Sequence, residues 1–132
     1  MPTLAEQMLT DALAGQKFTR KFFVVELDFS EASLEELEKQ FEAAKYALRG
    51  GLTPENIDKL STLWGAYLGE VVRRHCGAEW AAETVDGGER PIVQRGAVVV
   101  RPHAQVRARC EQGASASVVA FYEQTKQSLA AS

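Results

Sequence analysis

The segment most suited to chemistry is Trp64-Gly65-Ala66-Tyr67-Leu68-Gly69-Glu70-Val71-Val72-Arg73-Arg74, where two glycines and a carboxylate share one helical stretch. A glycine inside a helix costs up to about 1 kcal/mol against alanine, so Gly65 and Gly69 need a reason. With Ala66 they form a ridge small enough for close packing by another backbone, either a helix of the same domain or a partner chain. Glu70 lies one turn after Ala66. A carboxylate there is partly buried and needs a donor, such as an arginine of the C-terminal third. Its open roles are a structural ion pair, a ligand or partner contact, and general acid/base work.

A second group is Arg101, His103 and Arg107, around the start of a helix at Pro102. Exposed N–H groups and a nearby guanidinium there can receive an anion; a histidine on a solvated surface is the plainer reading. Trp80 begins a strand, and exposed on an edge it would mark an interface. Glu31, Glu35, Glu36, Glu38 and Glu42 make one helix face acidic and solvated, suited to a basic protein partner. His75 and Cys76 are adjacent, so they project about 100° apart on a helix and do not form a base and nucleophile pair. Cys76 and Cys110 have no CxxC spacing, and two histidines do not complete a zinc set; free thiols, no metal and no cofactor are expected. No Gly-x-Gly-x-x-Gly after a strand, Walker loop, Gly-x-Ser-x-Gly or His-Glu-x-x-His is present.

The elements must fit in 132 residues, with 45% hydrophobic and 25% charged side chains and a formal charge of −3. That is one globular domain, not a disordered, collagen-like or disulfide-scaffold chain. The acidic balance argues against a nucleic-acid binder, and no apolar run is long enough to cross a membrane. Met1–Glu6 lacks a basic region and apolar run, so no secretory signal is visible and a cytoplasmic protein is expected. Residues 91–132 carry five basic and two acidic side chains, whereas residues 1–90 are acidic. Complementary faces within the domain, or between two copies, explain that asymmetry.

Leu4, Met8, Leu9, Ala12 and Leu13 predict a helix over about Thr3–Ala14, stopped by Gly15. Phe22–Phe29 is aromatic and β-branched, with Val25, Leu27 and Phe29 alternating against Glu26 and Asp28, which reads as a strand. Ser30 or Ser33 then caps a helix that ends at Gly50-Gly51, and Thr53-Pro54 opens the longest helix, to about His75. Three short strands follow over Glu79–Val100, then a helix from Pro102 to about Glu111 and a last one through Leu129. Strands clustered mid-chain predict an α+β domain: a largely antiparallel sheet of about four strands with four to five helices.

The run Gly65–Val71, Gly77-x-Glu79-Trp80, the Pro91-x-Val93 strand and the Arg101-Pro102 turn resemble a family of small uncharacterised bacterial domains, over roughly residues 24–125. In that family a Gly-x-x-x-Gly-Glu helix precedes a tryptophan-bearing strand. The resemblance implies a bacterial source and accessory or immunity-type proteins that act by binding another protein. The expected function is therefore a non-catalytic protein-binding domain, with a homodimer pairing the acidic helix and the arginine-rich third as one arrangement. The alternative is a small-ligand or anion site built from Arg101, His103, Arg107 and Glu70.

Overall fold

The longest helix, running from Pro54 to Cys76, is apolar on most of its circumference: Leu60, Trp64, Ala66, Tyr67, Leu68, Val71 and Val72 are all fully buried. The other elements are arranged around it. A computed structural model describes residues 1–131 and gives the order α1 (Leu4–Phe23), α2 (Ser33–Ala47), α3 (Pro54–Cys76), β1 (Glu79–Val85), β2 (Gly88–Arg95), β3 (Val98–Val100), α4 (Pro102–Gln112), a 3-10 turn (Gly113–Ala116) and α5 (Val118–Ala130). This is an α+β domain whose antiparallel sheet has three strands in the order β1-β2-β3, one fewer than expected.

Local signals account for most of the boundaries. Thr3 and Glu6 form a reciprocal capping box on α1, the Thr53 hydroxyl accepts from the Asn56 N–H ahead of Pro54, and the Ser117 hydroxyl accepts from the Val119 and Ala120 N–H groups. Helix α3 ends at Gly77, in the left-handed region at φ 67°. Trp80 pairs with Val93, and Val93 with Val100, so the three residues form one buried stripe across the sheet.

The missing strand is Phe22–Phe29. Helix α1 does not stop at Gly15 but continues to Phe23, because Gly15 is where α1 crosses α3: a Cβ there would sit 2.7 Å from the Leu63 carbonyl oxygen. Phe18 and Phe23 carry the extension onto the Trp64 ring, at centroid distances of 6.4 and 5.5 Å. Residues 24–29 form an irregular segment that begins and ends in left-handed backbone, at Val24 (φ 57°) and Phe29 (φ 64°), yet Leu27 and Phe29 are buried and Glu26 and Asp28 exposed, so the alternation is real. Their backbone pairs with side chains instead of a strand. The Phe29 N–H donates to the Tyr67 hydroxyl (2.8 Å), His75 Nε2 donates to the Phe29 carbonyl (2.8 Å) and the Gln16 amide donates to the Leu27 carbonyl.

Gly15→Ala should lower stability by about 1–3 kcal/mol, against the ~1 kcal/mol gain of the same change in an exposed helix. Urea denaturation decides; an unchanged or raised midpoint would mean the two helices do not cross there.

Candidate functional site

Both glycines of the small ridge receive a ring. At Gly65 an added Cβ would stand 2.6 Å from His103 Cδ2 and 2.8 Å from its Cα, so α4 lies against α3 with the imidazole over the glycine. At Gly69 it would stand 2.1 Å from the Trp80 indole. The ridge thus serves packing inside the domain. Trp80 is 9% exposed although β1 is an edge strand, and its ring centroid is 6.0 Å from that of His103.

Glu70 sits beneath these rings and is 1% exposed. Its donors are Trp80 Nε1 (2.8 Å), Arg73 (2.9 and 3.1 Å) and Arg74 (3.1 Å). They come from its own helix and β1, not from the arginine-rich third as expected. Burial pushes its pKa up, but the hydrogen bonds of Arg73 and Trp80 outweigh this and hold the carboxyl below its ordinary range. With every donor accounted for, Glu70 is a structural anchor for Trp80.

His103 is not on a solvated surface. It is half-buried, and burial pushes its pKa down to about 4, so the ring is neutral at pH 7. Among the described residues two buried side-chain polar atoms have no hydrogen-bond partner in the protein: His103 Nδ1 and Ser61 Oγ. Ser61 is 6% exposed and lies one turn before Gly65 on the same face of α3. Both residues line one cavity of about 420 Å³ between α3, β2 and α4, together with Asp58, Arg90, Pro91 and Arg107. Arg107 donates to Asp58 through one terminal nitrogen, and Arg90 donates to Glu83 through Nε (2.6 Å). A guanidinium has five N–H donors, so each keeps donors to spare.

The structure therefore joins His103 and Arg107 and separates the rest of the predicted set. Arg101 turns away to make a bidentate pair with Glu83 (2.7 and 2.8 Å), which with Arg90 holds the Glu83 carboxyl down to about 2. A larger open groove, about 530 Å³, runs from β3 to α5. Arg101 is the one charged side chain on it and is paired with Glu83; Gln105 and Ser117 already have partners, while Gln124 and Ser128 add neutral polar side chains. Sequence reasoning missed Ser61, Asp58 and Arg90 as members of this site. The available signal was a serine four residues before Gly65, inside an apolar helix face.

The acidic face of α2 is divided. Glu38 accepts from Arg109 (2.6 Å) and from the Val118 N–H (2.8 Å), capping α5, and Glu42 also binds Arg109, whose side chain is 4% exposed. Glu31 accepts from the Tyr122 hydroxyl and pairs with Lys126 (3.0 Å). Glu35 and Glu36 remain in solvent. Cys76 and Cys110 are free and half-buried; Cys76 is 3.8 Å from the Tyr122 hydroxyl, and burial pushes the Cys110 thiol up to about 11. Among the described residues no group of three or more His, Cys, Asp or Glu converges as a metal site, and no helix is long and apolar enough to cross a membrane. No protein-family model, curated protein or solved structure matches the chain.

Two tests follow from this geometry. Glu70→Gln keeps an acceptor for Trp80 but removes the charge; because Arg73 and Arg74 are about one-third exposed and can turn to water, the loss should be about 1–3 kcal/mol, read by urea denaturation. A neutral effect would remove the anchoring role. His103 adds a pH dependence. Its folded pKa of about 4 lies below the unfolded value of ~6.5, so its contribution is complete above about pH 6.5 and is lost as pH falls toward 4, by up to about 3 kcal/mol. His103→Gln should flatten the fall in stability between about pH 6.5 and 4; an identical slope in both proteins would contradict the burial of the ring.

Proposed function

We propose that this chain is a non-catalytic binding domain whose ligand is a small anion held in the cavity between α3, β2 and α4. The observation that carries the reading is the meeting of two unpartnered buried polar atoms, Ser61 Oγ and His103 Nδ1, with two guanidinium groups at one cavity. A buried polar group left unpaired costs about 1–3 kcal/mol, and a ligand that pairs with both recovers part of that cost. The volume lies within the range of small-molecule sites.

A basic-partner docking role for the acidic helix has less support. Glu31, Glu38 and Glu42 hold other parts of their own chain, Glu36 pairs with Lys39 in solvent, and Glu35 alone of that set has no ion-pair partner among the described residues. A homodimer pairing the acidic helix with the arginine-rich third competes with intrachain pairs that already join them through Arg109. His75 and Cys76 are separately engaged, with Phe29 and Tyr122, which supports binding over thiol catalysis.

A thermal-shift panel of carboxylates, phosphates and nucleotides tests the reading. At least one should raise the midpoint, since a ligand at 100 times its Kd adds about 2.7 kcal/mol. Arg107→Glu, which breaks only an exposed ion pair worth about 0–1 kcal/mol, and Thr62→Trp at the exposed rim should each abolish the shift. No shift with any member, or a shift that survives both substitutions, would overturn it.

A further inference from the structure

The two ends of the cavity differ in chemistry, and the difference specifies the ligand further than its being an anion; this step rests on the ligand-binding reading above. At the mouth stand Arg90, Arg107 and Asp58. The lining thus carries two positive charges and one negative, and Arg90 is also neutralised in part by Glu83. Such a mouth compensates one negative charge. A second one, as on a phosphate monoester at pH 7, would meet the exposed Asp58 carboxylate without a cation to balance it. A carboxylate matches the spare guanidinium donors in number and geometry.

At the inner end the available groups are a hydroxyl and an imidazole that burial keeps neutral. A charged group placed there would lose its hydration for two neutral partners. The Ser61 hydroxyl can donate and accept, and Nδ1 does one or the other according to the tautomer. A ligand hydroxyl or primary amide, itself donor and acceptor, satisfies both. Both atoms are closed to solvent, so binding requires that the Ser61 hydroxymethyl turn toward the cavity as the ligand enters.

We propose that the cavity binds a short monocarboxylate bearing an uncharged hydroxyl or amide group, its carboxylate between Arg90 and Arg107 and its neutral group on Ser61 and His103. Two sources share this chemistry, free hydroxy acids and polar amino acids; in the latter an ammonium group would meet Asp58.

The test is calorimetric titration of the intact chain with 3-hydroxybutyrate, glycerate and glutaramate for the acids and with L-glutamine and L-threonine for the amino acids, beside butyrate, butane-1,3-diol and inorganic phosphate. At least one hydroxy or amido acid should bind roughly tenfold or more tightly than butyrate, and the diol should not bind. Ser61→Ala should bring that acid to the affinity of butyrate, while Arg107→Gln weakens both acids alike. Preference for glutamine or threonine, lost in Asp58→Asn, assigns the amino-acid source; preference for the hydroxy acids, unchanged in Asp58→Asn, assigns the other. Binding of phosphate or a nucleotide that depends on Arg107, with none from the acids, overturns this inference and leaves the anion-binding reading standing. Acids that bind no better than butyrate also overturn it. No binding by any compound overturns both.

Discussion

Close approach to helix α3 is the constraint on which the rest depends. Three points without a side chain permit it: Gly15 lets α1 cross at Leu63, Gly65 seats the imidazole of α4, and Gly69 seats the indole of β1. A methyl group at any of them would stand under 3 Å from an atom already present. The packing places His103 and Trp80 side by side, with the imidazole over Gly65, one turn from Ser61 on α3. The cavity is the consequence: α4 is drawn so near to α3 that Nδ1 of the ring loses contact with water, while Arg107, further along α4, still reaches Asp58 on α3. The helix propensity given up at these positions is repaid in packing.

Charge follows the same economy of placement. The arginine-rich third is neutralised largely from within: Arg109 by Glu38 and Glu42, Arg101 by Glu83, and Arg107 by Asp58. The pairs differ in worth. Arg109 is buried, and Glu38 also caps α5, so removing either partner strands a charge or an N–H group. Arg101, Arg107 and Asp58 are solvated, and their pairs contribute little to the fold. The consequence is functional. Arg90 and Arg107, held lightly at the rim, keep N–H donors to spare for the proposed ligand, whereas Arg109 is buried and ties α4 to α2 through Glu38 and Glu42.

Several helix boundaries were legible because caps are local: Thr53-Pro54 and Gly77 act through neighbours in sequence, as does Ser117, which went unread. The end of α1 was not, because Gly15 has two opposed readings, a stop and a crossing point, and the Leu63 contact that decides lies 48 residues away. The expected strand had the right alternation at Val25, Leu27 and Phe29, but periodicity reports which face is buried, not what the backbone bonds to. At the site, the need for close packing at Gly65 and Gly69 was readable, and what would pack there was not. The partners of Glu70 were misread as arginines of the C-terminal third, although Arg73 and Arg74 stand three and four residues on, the spacing at which helical side chains meet. The Ser61–His103 meeting depends on how α4 docks, and no local pattern encodes that.

The central claim is that His103 is a neutral, half-buried imidazole whose unpartnered Nδ1 belongs to the proposed ligand site. The chain has two histidines, so long-range 1H–15N spectra recorded across the acid and neutral range resolve each ring, with His75 identified by its Nε2 bond to Phe29. The account predicts that His103 keeps one unprotonated nitrogen down to about pH 4 and that its Nδ1 resonance moves when a hydroxy or amido monocarboxylate is added. An imidazole that titrates near its ordinary value of ~6.5, with a resonance indifferent to every added acid, would contradict it.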